Sequence, residues 1–428
     1  MGKRVAIIGS GIAGTSAAYY LQRAGYEVSL FEAGNYFGGH TNTVDITVDG
    51  KTFPVDTGFL VHNDRTYPNL VPFFEELGVE VQTSDMSFSA QHLTEKIYWA
   101  GTDLNTVFAQ RKNLFSPRFY KFLRQIMRFN GNAEIYLHGC KQNIDFTLGD
   151  LLNREGYTSD FRNWYLLPMG GSIWSTPTAK MLEFPAYTFL QFCMNHGLLQ
   201  LTDRPQWKTV KNGCRTYVSK ALSKVQHKYL NEPIVAVQST ANGMVVQTKQ
   251  RTETFDKCVI CTHPPQTMEM LGKGNETVRS VLSRFEYQPN TAVLHTDASV
   301  LPPKRAWSAW NYTAADDQNG NSSVSVTYLI NMLQPLPTEK PVLVTLNPVT
   351  RIEPEKIIKT IAYDHPLFDL KAVKAQSRIR DIQGHNGIYL AGAWLRYGFH
   401  EDGIISAKWA VNQLLKDDGL AEYAIDVK

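Results

Sequence analysis

Cysteine is scarce, with five residues in 428 and an odd count spread along the chain, which excludes a disulfide framework. Cys258 and Cys261 do form a C-x-x-C, but in the strand-like run KCVICT residues three apart face opposite sides of a sheet and cannot pair. Net charge is equally slight. Lys plus Arg 43 against Asp plus Glu 40 leaves +3, too little asymmetry to seat a nucleic acid, and no such partner is expected. No apolar run approaches a bilayer span. MGKRV leads directly into an apolar strand with no room for a secretory leader, so the expectation is a soluble cytoplasmic protein, at most peripheral to the inner face of a membrane. Internal repeats and low-complexity tracts are absent. What remains is ordinary globular composition, 43% hydrophobic and 19% charged, with length enough for two domains.

The informative stretch is Lys3 to Gly39. An apolar run rich in β-branched residues (Arg4 to Ile8) stops at Gly9, a helical pattern runs from Gly11 to Gly25, and a second strand-like run closes on Glu32. This is a βαβ unit with Gly9, Gly11 and Gly14 in G-x-G-x-x-G spacing. Gly9 permits the turn, Gly11 admits a diphosphate to the backbone of Ser10, Ile12 and Ala13, and Gly14 lets helix and strand pack closely. The helix N-terminus aims free N–H groups at the phosphates. Glu32 stands where an acid holds the ribose 2′-hydroxyl of an adenosine, with no arginine to favour a 2′-phosphate.

Further along, Asp49-Gly50 between Thr43 to Val48 and Thr52 to Val55 signals a hairpin, as does Asn242-Gly243 between Pro233 to Ser239 and Met244 to Lys249. Six Lys and Arg residues are the only charges from Phe108 to Phe129, interleaved with aromatic and aliphatic side chains; from Pro117 the spacing is helical. Such a helix either lies on an anionic membrane surface or buries its stripe in a second domain. The run from Pro168 to Pro177 reads as a Gly- and Pro-rich loop. Strand-like runs at Thr291 to Asp297, Val324 to Ile330 and Pro341 to Leu346, with Trp307, Trp310 and Tyr312 among them, suggest a sheet lining an apolar cavity. Gly387 to Gly392 reads as a final strand and Gly403 to Leu415 as the final helix.

Gly38 and Gly39 after Glu32 extend the fingerprint in a way that resembles the glutathione-reductase-like flavoproteins, in the branch holding amine oxidases and phytoene desaturases. Over nearly its full length the chain also resembles a bacterial flavoprotein family associated with cyclopropane-fatty-acid synthases, carried by Thr57-Gly-Phe-Leu-Val61, Gly170 to Ser175, His295-Thr-Asp297, Trp310-Asn-Tyr312 and Gly398 to Gly403. The resemblance implies an α/β fold in which a Rossmann-like FAD-binding domain of glutathione-reductase type (1–85, 206–270 and 372–428) is interleaved with an α+β, amine-oxidase-like substrate domain (86–205 and 271–371). It places Gly58, Phe59 and Leu60 at the flavin ring, Val235 against the adenine, and Gly392, Ala393, Gly403 and Ile404 at the diphosphate and the ring. Where the branch usually has arginine this chain has His40, which makes Thr41 and Asn42 candidate substitutes for its phosphate contact.

The implied activity is FAD-dependent oxidation or isomerisation of a carbon–carbon bond in a hydrophobic small molecule or lipid acyl chain. Amine oxidation is the alternative, although His400 stands where an amine oxidase places a cage aromatic and His295 to Asp297 where its lysine is expected. A non-catalytic flavin module serving an acyl-modifying partner is a third reading. His400 is the candidate catalytic residue and His62 the second; His400 reads equally as a structural histidine bonded near Glu401 or Asp402. No metal site is expected. No second dinucleotide motif is found, so oxygen or a membrane quinone is expected as electron acceptor rather than a nicotinamide.

Overall fold

The computed structural model describes residues 2–174, 178–200, 204–272, 274–316 and 322–427. Its organising element is a five-stranded parallel sheet in the order His227–Tyr229, Glu27–Phe31, Arg4–Ile8, Lys257–Ile260, Ile388–Leu390. These strands come from three stretches far apart in sequence. All but the edge strand His227–Tyr229 are largely apolar and buried because helices or loops cover both faces. The opening helix (Ile12–Arg23) packs on one face beside the last helix (His400–Asp417), inside a core containing Ile7, Ala17, Leu21, Ile404, Ala407 and Val411. Gly403 makes that crossing close, since a Cβ there would lie 2.4 Å from Ile12 Cγ2.

A seven-stranded sheet forms the second layer. Ile357–Pro366, Tyr287–His295, Leu343–Leu346, Ser322–Leu329, Trp310–Asp316, Phe88–His92 and Ile97–Ala100 follow one another across it. Against its far end sits a helical layer built on the basic helix Pro117–Cys140, whose N-cap Ser116 accepts from the Phe119 N–H and whose Phe119, Phe122, Ile126 and Phe129 are buried. The Asp49-Gly50 hairpin forms as expected, with φ of 50° and 74° at its two turn residues, the left-handed pair that such a turn needs.

Two expectations are corrected. Residues Leu167–Trp174 are helix rather than loop, and positions 175–177 of that run lie outside the described residues. A π-turn over Arg162–Leu166 runs directly into them, and Pro168, which has no N–H to give, follows that widened turn. The last helix begins at His400 rather than Gly403, because Asp402 reaches back to accept from the Phe399 N–H at 2.9 Å and fixes the helix start one turn earlier.

Candidate functional site

All five strands of the parallel sheet end on one side. There Gly9, Glu32, Cys261 and Gly392 line a cavity of about 930 Å³ that continues between the two sheets into the helical layer, the upper end of the usual range for a bound ligand. At its floor Gly9 turns the chain with φ of 92°. Ser10 donates to Glu32 Oε2 from its N–H at 2.9 Å and its hydroxyl at 2.5 Å, and Glu32 Oε1 accepts from the Gly34 N–H at 2.8 Å. Glu32 therefore shapes the loop and still presents acceptor capacity to the cavity. Gly11 is open, with nothing within 4 Å of where a Cβ would stand, whereas a Cβ on Gly14 would lie 1.8 Å from the Gly9 carbonyl oxygen. Openness at one glycine and close packing at the other leave the N-terminal N–H groups of the helix on the cavity wall.

Gly38, Gly39 and His40 fold over this floor, Gly39 so closely that a Cβ on it would lie 3.2 Å from Gly11 Cα. Gly58, Phe59 and Leu60 form the next wall, held by the Phe59 N–H donating to the His40 carbonyl at 2.9 Å. Val235, Gly392 and Ala393 also line the cavity, as do Ser10, Ile12 and Ala13.

Other candidates lie elsewhere. Thr41 and Asn42 are buried behind the wall: the Thr41 hydroxyl meets Tyr217 and His400, and Asn42 Nδ2 donates to the Tyr363 hydroxyl at 3.1 Å. Neither offers a phosphate contact. Gly403 and Ile404 serve the helix crossing and do not line the cavity. His62 is buried in a short strand edge-on to Phe74, off the cavity, and burial lowers its pKa to about 4. His295 and Asp297 do not line it either. His295 Nε2 meets the Thr345 hydroxyl at 2.7 Å, and Asp297 is paired with Lys356.

His400 does line the cavity. Its ring stacks on Phe59 at 3.6 Å, and Nε2 lies 2.9 Å from the Thr41 hydroxyl and 3.1 Å from that of Tyr217. Glu401 and Asp402, the neighbours expected to bond it, are engaged otherwise, Glu401 by the N–H groups of Asn69 and Leu70 and Asp402 by that of Phe399. Burial drives the imidazole pKa well below its ordinary value. His400 is therefore a neutral ring at neutral pH, able to exchange a hydrogen bond but not to act as a resident imidazolium acid.

Sequence reasoning missed several cavity residues. Phe192 and Leu198 come from an apolar region with no motif, Phe399 stands inside the Gly398 to Gly403 run but was not singled out there, and Tyr363 and His365 lie two apart near the end of an edge strand, a spacing that marks a shared face but names no ligand. Trp394 was legible only as the neighbour of Ala393. Its Nε1–H and His40 Nε2 are both buried without a partner, two polar ring atoms awaiting a ligand in a cavity that fits a dinucleotide.

The comparisons agree with this geometry. Residues 7–77 match the model of an NAD(P)-binding Rossmann-like domain. Polyamine oxidase 2 of Arabidopsis thaliana is 26% identical over 231 residues, 53% of this chain and 46% of that protein. The 1-hydroxycarotenoid 3,4-desaturase of a Flavobacterium species is 31% identical over 146 residues, 32% of this chain and 28% of that one. The chain thus spans about half or less of the length of these curated relatives. Among solved structures, cyclohexylamine oxidase from Brevibacterium oxydans shares the fold with a TM-score of 0.70 at 15% identity, covering 98% of this chain and 100% of its own. A CLA-producing fatty acid isomerase from P. acnes gives 0.67 at 14%, covering 97% and 98%. Amine oxidases and desaturases of this kind use FAD, and the Rossmann-like cradle described above fits that dinucleotide. Residues 7–77 thus form an NAD(P)-binding Rossmann-like domain, the whole chain has an amine-oxidase-like fold, and parts of its sequence are similar to polyamine oxidases and carotenoid desaturases.

Proposed function

We propose that the protein is an FAD-dependent oxidoreductase acting on a hydrophobic substrate, foremost a lipid acyl chain, by dehydrogenation or isomerisation of a carbon–carbon bond. The observation that carries this reading is the wall beyond Phe59 and His400. Met86, Ile173, Phe192, Leu198, Trp310 and Phe399 make it apolar, and the one titratable ring contributed by the helical layer, His196, is stacked on Phe192 at 3.9 Å with its pKa lowered by burial to about 4. None of the described residues on that wall is a carboxylate, so an acyl chain is desolvated at little cost while a protonated amine finds no counter-ion. When bound, FAD accepts two electrons from such a substrate. The chain's own contribution is to exclude water, to hold the acyl chain against Phe59, and to offer His400, through Thr41 and Tyr217, as a neutral hydrogen-bonding ring. Amine oxidation is the second reading, supported by the polyamine oxidase relatives.

The test is anaerobic bleaching of the yellow protein. Saturated fatty acids should reduce the flavin, or unsaturated ones should emerge with a shifted double bond, and polyamines should do neither; bleaching by amines alone would reverse the two readings.

We further propose that the outer face of the basic helix rests on an anionic membrane. No helix among the described residues is long and apolar enough to cross one, but Phe115 is 88% exposed, Leu104 78%, Ile135 67% and Met127 65%. Arg118 is engaged by Asp160 and Glu95, and Arg128 by the Glu155 carbonyl. Lys112 in the turn before the helix, and Lys121 and Arg124 on it, are exposed. The inner face packs on the Ala186–Asn195 helix, whose Phe192 lines the cavity, so docking would set the substrate wall near the acyl chains. Sedimentation with anionic vesicles should fall as salt rises, and Lys112, Lys121 and Arg124 changed together to Gln should weaken it by roughly a hundredfold, at about 1 kcal/mol for each charge. Equal binding to neutral and anionic vesicles would count against it.

A further inference from the structure

A dinucleotide brings two negative charges to this cavity, yet among the described residues lining it there is no lysine and no arginine, while Glu32, Glu232, Glu269 and Asp364 all line it. The opening helix supplies only partial positive charge. The remaining source of positive charge is imidazole. His40 sits where Gly39 crosses Gly11, beside the glycine loop, and its Nε2 is buried with nothing bonded to it. Its ring stacks on Tyr363 at 4.7 Å, and His365 and His263 stand behind it at 5.2 and 6.3 Å. We propose that this histidine cluster, led by His40, is a protonatable seat for the diphosphate, so that FAD binding takes up about one proton. The proposal rests on the FAD reading given above.

The groups facing the cluster come from every element around it. Tyr363 and Asp364 flank His365 on the edge strand, and Tyr287 stacks on His263 at 4.3 Å. Tyr36, whose hydroxyl donates to the Gly39 carbonyl, and Glu32 stand on the floor side, Glu269 on the helix after His263, and His400 on the last helix. None of these is a resident cation. Without ligand the three imidazoles are held neutral, His40 and His263 lowered to about 4 and His365 to about 3, chiefly by burial and then by one another. A diphosphate against Gly11 reverses the balance, because a nearby opposite charge favours the protonated ring. The proton belongs to the cluster as a coupled unit rather than to one ring.

Uptake of one proton makes affinity fall about tenfold for each unit of rising pH between the free and bound pKa values of the cluster. The full-length yellow protein is diluted into buffers from pH 5.5 to 8.5 and released FAD is read by its fluorescence. The expected result is a dissociation constant that rises with that slope over part of the range in wild type and is flat in His40→Arg, where the charge is fixed, with the variant holding FAD more tightly at pH 8.5. A wild-type constant within threefold over the whole range, or the same slope in His40→Arg, overturns the proposal. Should the variant not fold, an indicator dye in weakly buffered solution decides with wild type alone: about one proton released with each FAD supports the proposal, and none overturns it. FAD that binds without this proton leaves the FAD reading standing, whereas failure to bind FAD at any pH removes both.

Discussion

Replacement of Gly14 by alanine is expected to yield a colourless protein. The added methyl would stand 1.8 Å from the Gly9 carbonyl oxygen and 2.9 Å from its carbon, a backbone obstacle that no rotamer change relieves. Helix and glycine loop must separate, and overpacking of this kind costs about 3 kcal/mol. The separation falls on the geometry that aims the helix N–H groups at the diphosphate, so flavin affinity should drop by about a hundredfold if most of that strain is released only in the unliganded state. Flavin absorbance of the purified protein and its thermal midpoint measure the two effects. Gly131→Ala is the control: nothing lies within 4 Å of that site on the basic helix, and alanine there should stabilise by up to about 1 kcal/mol. A Gly14→Ala protein as yellow as wild type would remove the role given to this glycine.

The second large effect concerns Asp56, whose carboxylate is fully buried where three parts of the chain meet. It accepts from the Thr43 hydroxyl at 2.5 Å, the Cys214 N–H at 2.9 Å and Gln334 Nε2 at 2.6 Å, while its own N–H donates to Gln334 Oε1 at 3.1 Å. Asp56→Ala strands three donors without water and should cost about 3–5 kcal/mol in urea unfolding; a loss under about 1 kcal/mol would show that the donors find other partners. Burial raises the folded-state pKa of this carboxyl despite those bonds. Its contribution is then fullest below the unfolded value of about 4 and is lost as pH rises through the folded one. The stability of wild type relative to Asp56→Asn, which is neutral at every pH, should therefore fall between pH 4 and pH 8.

The floor of the site was legible because its chemistry is local. Gly9, Gly11, Gly14 and Glu32 are constrained by the turn, the helix and the strand that they themselves belong to; the structure brings Gly9, Gly11 and Glu32 to one cavity and packs Gly14 against the Gly9 carbonyl behind it. The wall was less legible. His62 and His400 both read as reactive histidines near a predicted ring, but which of them faces the cavity depends on Thr41, Tyr217 and Phe59, partners 183 to 359 residues from His400 or at its stacking face. Thr41 and Asn42 fit the local demand for a phosphate donor, and tertiary hydrogen bonds drew them away. Pro168 and Gly170 reversed the usual reading of such residues, because a preceding π-turn and a tight approach to Met181 turn breakers into helix.

The strand order has a bearing on the birth of the molecule. The sheet begun by residues 4–31 receives its inner neighbour only with Lys257–Ile260 and its edge with Ile388–Leu390, and the helix that clasps the opening helix follows that edge. At ribosomal speeds of about 5–20 residues per second, roughly 20–70 s separate synthesis of the first strand pair from that of the edge strand. Through that interval the nascent chain carries open parallel edges, which attract foreign strands and call for chaperone cover. The cradle therefore forms late, once both the edge strand and the helix that clasps the opening helix have left the ribosome.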